Sequence, residues 1–573
     1  MYFKGSLFFT LSFFSYHRFP RYIHAFRRNL VAVIFALVLA GDAFASSALQ
    51  GVAVNDSIRQ RLEAWSAGYP AKISSAPIRN SALLNAYYEE TGFAPLWLKD
   101  SGRAFNSAAL DLIAVLQGVD KEGLLPADYH TVYLGQLITE PSEISSDAEL
   151  VLTDAFLFLA QHILAGKVDP ETLTNEWKPA KEVVDARALL TKVASNVPIA
   201  DIVQSLRPRQ PRYARLVKTL AWLNSAQAPD WEPLALSPAI KKGMADTRLA
   251  PIAERLRFWG DLSESESESE SESESEETFT HYEGELMEAV TRFQRRHGLE
   301  PDGVVGKNTL LALNVSPAQR ANDVVVNLER WRWLDQNMGD YFIVVNIANF
   351  DLRVYKSNEL VMQKPVIVGR NYRKTPVFSD KIRFLVFNPT WTVPQKLAVQ
   401  DKLPEIKKDI SYLEKYGFTL YALGENTVVN PADVEWDKLH KRFPYRMVQA
   451  PGPLNALGQV KFMFPNAYDV YLHDTPSREL FSKTERAFSS GCIRVSDPIE
   501  LASKLLEPNG MGIDQINEVL SSAKTTTVNL KTPVPVHIEY WTAWVDSSGK
   551  LQFRNDIYER DKPLFSALTL PIE

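Results

Sequence analysis

From about residue 46 to residue 245 the apolar positions recur at helical spacing. Leu152, Ala155, Phe156, Leu159 and Ile163 form a stripe of near-3.6-residue period behind a Ser145-Ser146 cap, and 186–193 and 199–223 carry the same pattern. Pro95-Leu96-Trp97 and Gly123-Leu124-Leu125-Pro126 read as loops between them. A second, smaller set follows: Ile252, Leu256 and Trp259 stand at i, i+4, i+7, as do Leu286, Val290 and Phe293. Gly298 suits a left-handed helix cap, Pro301-Asp302-Gly303 a turn, and 308–314 a short third helix. Beyond about residue 321 the period changes to two. Runs at 341–347, 352–355, 360–368, 382–387, 469–474, 534–545 and 551–558 predict strands, with helices at 498–506 and 513–522. Residues 395–446 interrupt that alternation, and Ile406, Ile410 and Leu413 predict an amphipathic helix ending near Gly417. The pattern predicts a multidomain α+β chain: a helical N-terminal scaffold (46–245), a small three-helix module (246–320) and a mostly-β domain (321–573) with a helical insertion.

Two stretches stand outside this pattern. Arg18, Arg21, Arg27 and Arg28 precede the apolar run 30–40, and Ala43-Phe44-Ala45 fits a small-x-small cleavage site, so 1–45 is read as an export signal. Eleven apolar residues are too few to span a bilayer comfortably, although a retained segment would associate the protein with the membrane. Alternating Ser and Glu over 263–277 has nothing to bury and is read as a solvated, disordered insertion in the small module. That tract carries eight glutamates. Without them the net charge of −6 becomes +2, and without the signal segment also (five basic, one acidic) it becomes −2. No basic stripe with interleaved aromatics exists, which excludes nucleic acid as an expected partner. His130 and His162 have no companions at metal-ligand spacing, and no metal or cofactor is expected.

The candidate chemistry centres on Cys492, the sole cysteine among 573 residues. It cannot form an internal disulfide, and Ser489-Ser490-Gly491 before it makes a tight turn with backbone N–H groups beside the sulfur. Arg494 adds positive charge that favours the thiolate. A base stands 19 residues upstream at His473, near the end of an alternating run. Period two puts Tyr471 and His473 on one face and Asp474 on the other, so a His473–Asp474 side-chain pair is not expected.

His473-Asp474-Thr475 followed by Ser489-Ser490-Gly491-Cys492-Ile493-Arg494 resembles the catalytic signature of the bacterial L,D-transpeptidases. Pro451-Gly452-Pro453-Leu454-Asn455-Ala456-Leu457-Gly458, Lys461-Phe462 and Pro465-Asn466 are similar to the large multidomain members. Asp474 stands where a glycine often follows the histidine, and Ser490 where a second histidine often precedes Gly-Cys. The run from Ala289 to Thr309, with Phe293-Gln294, Gly298-Leu299 and Asp302-Gly303, resembles a peptidoglycan-binding domain. The resemblance implies Cys492 as nucleophile, His473 as general base and acid, and a thioester made from a peptidoglycan stem peptide with loss of D-alanine. It also implies backbone oxyanion donors at Gly491 and Cys492, support from Ser489, Arg494 and Tyr471, and substrate contacts at Trp391, Asn455, Gly458 and Lys461. The insertion at about 395–446, directly ahead of the catalytic strand, is expected to be a substrate lid, with a packed excursion that does not move as the alternative. An L,D-carboxypeptidase or cysteine peptidase of the wall, and a wall-binding scaffold with an incidental cysteine, are the alternatives. All three belong in the periplasm or cell envelope.

Overall fold

The computed structural model describes residues 54–572 apart from 75, 179–181, 226–230 and 264–278. The expected export signal and nearly all of the Ser-Glu tract lie outside the described residues. The described residues form two compact units: those up to Ala114 with His130–Leu157 and Ala186–Ile199, and those of Val115–Tyr129 with the described parts of 158–185 and 200–572.

In the first unit Glu149 is the polar centre. Its carboxylate accepts hydrogen bonds from the Tyr88 hydroxyl (2.7 Å) and the Trp97 N–H (3.0 Å), while burial pushes its pKa up to about 7. His130 is buried and bonded through Nε2 to Asp154 (2.9 Å). The stripe Leu152, Ala155, Phe156, Leu159 and Ile163 is buried along the helix Ser146–Ala165, whose residues from Phe158 on belong to the second unit. This helix is also long and apolar enough to cross a membrane by length and composition.

In the second unit the run 199–223 is two helices, Ile199–Leu206 and Pro211–Ser225, rather than one. Pro208 lacks an N–H for the helix ladder, and Pro211 opens the next helix where that group is not required. The three-helix module forms as patterned, with helices Leu249–Phe258, Gly284–Arg296 and Lys307–Leu313. Ile252, Leu256, Leu286, Val290 and Phe293 meet in one core, and Gly298 takes φ +64°. The helix Pro317–Arg332 then runs through the expected boundary at 320/321 without a break. A reciprocal capping box of Ser316 and Gln319 starts it.

Nine strands build the domain that follows. They are β1 (Tyr341–Asn346), β2 (Asp351–Lys356), β3 (Glu359–Gly369), β4 (Phe378–Phe387), β5 (Val460–Met463), β6 (Leu472–His473), β7 (Ala487–Ser489), β8 (Ile493–Val495) and β9 (Thr526–Glu539). Their order is β7-β3-β8-β6-β5-β4-β9-β1-β2, and β2 also pairs with β3, so the sheet closes on itself. Closure leaves no long free edge. The run 534–545 is split: β9 ends at Glu539, and Ala543–Val545 forms a separate hairpin with Leu551–Phe553. Val345, Leu352, Val366, Leu385, Phe387, Val460, Phe462, Leu472, Ile493 and Val495 fill one continuous core.

The 395–446 segment differs from the single amphipathic helix expected of it. Gln395–Leu397 passes through a π turn at Ala398–Lys402 into the helix Leu403–Lys408. Asp409 then leaves the helix and accepts from Ser411 N–H (2.9 Å), so Tyr412–Lys415 forms separately and Ile410 is exposed. The segment also contains strands. Phe418–Ala422 lies between Val428–Val429 and Tyr445–Gln449, and the last pairs with Trp391–Thr392. Ala398, Leu403, Ile406, Leu413, Phe418, Leu420, Phe443 and Met447 give it a core of its own.

Candidate functional site

Strands β6 and β8 are parallel neighbours in the register Leu472↔Ile493 and His473↔Arg494. Leu472, Ile493 and Val495 point into the core, so period two sends Tyr471, His473, Cys492 and Arg494 to the opposite face. The turn that presents Cys492 has Gly491 at φ +119°, a conformation that side chains resist. Ser489 holds it from within: its Oγ accepts from Gly491 N–H (3.1 Å) and donates to Cys492 O (2.5 Å). Thr375 holds it from outside, donating through Oγ1 to Gly491 O (2.8 Å) and accepting from Gly369 N–H (2.9 Å). The Tyr558 hydroxyl completes the frame. It donates to Gly369 O (2.6 Å) and accepts from Thr375 N–H (3.1 Å).

Electrostatics at the thiol differ from the expectation drawn from Arg494. Burial pushes the Cys492 thiol up to about 11, outweighing the downward pull of the Tyr471 N–H and hydroxyl and of Arg494. The thiol donates weakly to Asp469 O (3.7 Å). His473 is pushed down to about 3 by burial, then by Arg494 and by Lys461, its cross-strand partner on β5. Its Nδ1 lies 2.5 Å from Asp474 O. A carbonyl only accepts, so Nδ1 carries the proton and Nε2 keeps its lone pair. Thiol and imidazole therefore rest as a neutral pair, and among the described residues no hydrogen bond joins them. Burial and the neighbouring Arg370 in turn lower the Arg494 pKa, and its buried Nε has no partner among the described residues.

The remaining predicted residues divide. Tyr471 packs edge-on against His473 (ring centroids 5.7 Å apart), with the Lys461 ammonium 5.8 Å from the Tyr471 ring centre. The Gly491 N–H, expected as an oxyanion donor, is engaged by Ser489, whereas the Cys492 N–H has no partner among the described residues. Asn455, expected at the substrate, instead staples its own loop. Its Nδ2 donates to Pro389 O (3.0 Å) and Ala450 O (2.8 Å), and its Oδ1 accepts from Leu457 N–H (2.8 Å). Gly458, at φ +59°, is required by packing: a Cβ there would collide with the Asp474 carboxylate, which accepts from Gln459 N–H (2.9 Å). Trp391 belongs to the sheet of the insertion, where it packs on Phe418. His162 is buried with Nδ1 2.8 Å from the Tyr129 hydroxyl, and His537 is bonded to Ser379 (2.8 Å). Among the described residues no group of three His, Cys, Asp or Glu side chains is placed to hold a metal.

Sequence reasoning missed Arg373. Its Nη1 donates to Asp401 (2.6 Å) and to Ser490 Oγ (3.0 Å), and its Nη2 to Asp401 (2.7 Å) and Gln400 (2.9 Å). One guanidinium thus ties the π turn of the insertion to the residue two before Cys492. The Lys374-Thr375-Pro376 run marks the loop, but only the fold brings residue 401 to it.

Comparison with known proteins bears on the same segments. Residues 82–220 match a family described as "Scaffold domain", 255–313 one described as "Putative peptidoglycan binding domain", and 340–536 the YkuD "L,D-transpeptidase catalytic domain". A protein of Haemophilus influenzae named "Putative L,D-transpeptidase" is 40% identical over 222 residues, 39% of this chain and 45% of that relative. The chain thus spans less than half the length of that relative. The solved L,D-transpeptidase from Mycobacterium smegmatis is 13% identical over 35% of this chain and 58% of its own, with TM-score 0.16. That from Stackebrandtia nassauensis is 13% identical over 54% and 97%, with TM-score 0.20. The closed nine-stranded domain and the three-helix module are thus the parts of the chain that match the L,D-transpeptidase catalytic domain family and the peptidoglycan-binding domain family.

Proposed function

We propose that this protein is an exported L,D-transpeptidase that cross-links peptidoglycan stem peptides in the cell envelope through a Cys492 thioester. The observation that carries the reading is the placement of Cys492 and a neutral His473, with Nε2 unprotonated, on one face of β6 and β8. His473 Nε2 takes the thiol proton as sulfur attacks the carbonyl of the third stem residue. The C–N bond to the terminal D-alanine breaks, its amine leaves with a proton from His473, and a thioester remains. An amine of a second stem then attacks the thioester carbonyl. It forms the new amide, gives its proton to His473 and releases the Cys492 thiol. The Cys492 N–H, without a partner among the described residues, and the Tyr471 hydroxyl, which interacts with the Cys492 thiol, are the donors offered to the developing charge.

The insertion fits a shield for the thioester: it has its own core, and Arg373 joins it to the catalytic turn. A thioester exposed to water hydrolyses, so shielding favours the amine acceptor. The three-helix module supplies affinity for the wall. Purified protein with defined stem peptides, with products read by mass, tests the reading. A cross-linked dimer and free D-alanine are expected, with neither from Cys492→Ala. A trimmed monomer with no dimer would make the protein a carboxypeptidase, and product from Cys492→Ala would remove the thioester altogether.

A further inference from the structure

Beside the carboxyl end of β9 lies a cavity of about 330 Å3. Trp177, Trp333, Phe378 and Tyr468 form much of its wall, and Glu539 lines it as well. Along β9, Val536 and Ile538 enter the main core, so His537 and Glu539 share the other face. His537 is satisfied there by Ser379 (2.8 Å) and Met338 O (3.3 Å). Glu539 is not. It is 2% exposed, and among the described residues its carboxyl has neither a hydrogen bond nor an ion pair.

The cations nearby do not answer it. Arg330 and Arg560 lie over Trp177, but they line a separate cavity and pair with Asp561 (2.6 Å) and Glu176 (2.9 Å). Lys178 lines the cavity and is exposed, and it makes no ion pair with Glu539. Asp335 and Asp380 line it too, leaving an excess of acid around an aromatic enclosure. A buried carboxyl without a partner is costly unless it stays neutral or meets a cation. Burial alone raises the Glu539 pKa well above the ordinary range, as it would with no cation of the protein beside it.

We propose that this cavity binds a small organic cation carrying a primary ammonium, with the Glu539 carboxylate as counter-ion and the four aromatic rings as its wall. Ring faces attract an ammonium, and the alkyl stem of an amine packs where a hydrated metal ion would not. A single carboxyl in an aromatic enclosure also lacks the several oxygen ligands that a divalent cation takes. The volume lies at the small end of ligand sites, roughly 300–1000 Å3, which suits an amine the length of a lysine side chain. When the ammonium enters, the neutral Glu539 loses its proton to solvent, and the pair is formed with charge conserved.

Calorimetry with n-pentylamine, set against 1-pentanol as a neutral ligand of the same shape, tests this on the whole protein. The amine is expected to bind at least about tenfold more tightly than the alcohol. Glu539→Gln keeps the shape and the neutrality of the resting group, and it should abolish that preference. Equal affinity for amine and alcohol in the parent protein would overturn the proposal without recourse to any variant. So would an amine preference that survives in Glu539→Gln, or failure of the amine to bind at about 10 mM.

Discussion

A resting pair of neutral thiol and neutral imidazole makes a quantitative prediction for Cys492. With the thiol at about 11, the thiolate fraction at pH 7 is about 0.01%. A free cysteine near 8.5 is about 3% ionised at that pH. Iodoacetamide, which reacts with the thiolate, should therefore alkylate Cys492 about 300-fold more slowly than a free cysteine at pH 7, before any steric effect. The rate should climb about tenfold per pH unit up to about pH 10, with no plateau in the neutral range. Cys492 is the sole cysteine, so intact-protein mass against time reads the rate directly. Acylation by a stem peptide should show a different profile, because in the proposed mechanism His473 removes the proton within the reacting complex and its neutral form persists down to about pH 3. An alkylation midpoint below pH 7, or a neutral-pH rate equal to that of free cysteine, would refute the neutral pair and establish a preformed thiolate–imidazolium.

Thr375→Val should leave the Gly369 N–H and Gly491 O without their shared partner and cost about 1–3 kcal/mol by urea denaturation, with Thr375→Ser restoring most of it. For His473 the folded pKa of about 3 lies below the unfolded value near 6.5, so the unfolded state binds the extra proton and stability falls as pH drops between those values. That loss reaches up to about 1.4 kcal/mol per pH unit, and His473→Gln should show a shallower decline between pH 6 and 4; equal slopes would contradict the shift. Arg373→Met, which keeps the stem but loses Asp401, Gln400 and Ser490, should leave acylation by a small ligand intact while raising the ratio of hydrolysed to cross-linked product. Phe293→Asp puts a charge at a fully buried position of the three-helix module, and sacculus binding should fall while small-ligand acylation persists; joint loss would mean the module braces the catalytic domain.

The legible parts of this chain are those whose information is local. Tyr471 and His473 could be placed on one face because a period of two needs no knowledge of the fold, whereas Cys492 joins them only through the pairing of β6 with β8. The helices of the three-helix module were readable for the same reason, each having an apolar stripe and a glycine or turn to end it. What was not legible depends on pairings across long separations. Thr375 meets Tyr558 and Gly491, and Arg373 meets Asp401, only once the sheet has closed. The helix expected through Ile410 failed because Asp409 bonds to Ser411 and breaks it, a competition that spacing alone does not weigh. Phe418 and Leu420 do alternate with polar neighbours, so that strand of the insertion left a signal which the surrounding helical pattern obscured. The sign of the Cys492 shift could not be read at all. Arg494 is visible in the sequence, but the burial that outweighs it is a property of the fold.

That balance bears on why the catalytic turn is held from so many sides. A thiol that rests protonated is inert toward stray electrophiles and water-borne oxidants, but attack on a carbonyl then requires sulfur, proton and imidazole to come together within a few tenths of an ångström. The weak thiol contact to Asp469 O (3.7 Å) does little to fix the sulfur, so the backbone of the turn must do so. Ser489 closes the turn on itself, Thr375 and Tyr558 bind it to the ends of β3 and β4, and Arg373 reaches Ser490 while holding the insertion. The first three contacts join parts of one closed sheet and set where the sulfur lies. The fourth joins two separate cores, the sheet and the insertion. Arg373 bonds Ser490 and Asp401 with one side chain, so the insertion and the turn beside Cys492 share one guanidinium. Under the proposed function, a shift of the insertion that admits a stem peptide would disturb the Arg373 contact to Ser490 as well, and the Arg373→Met product ratio tests that coupling.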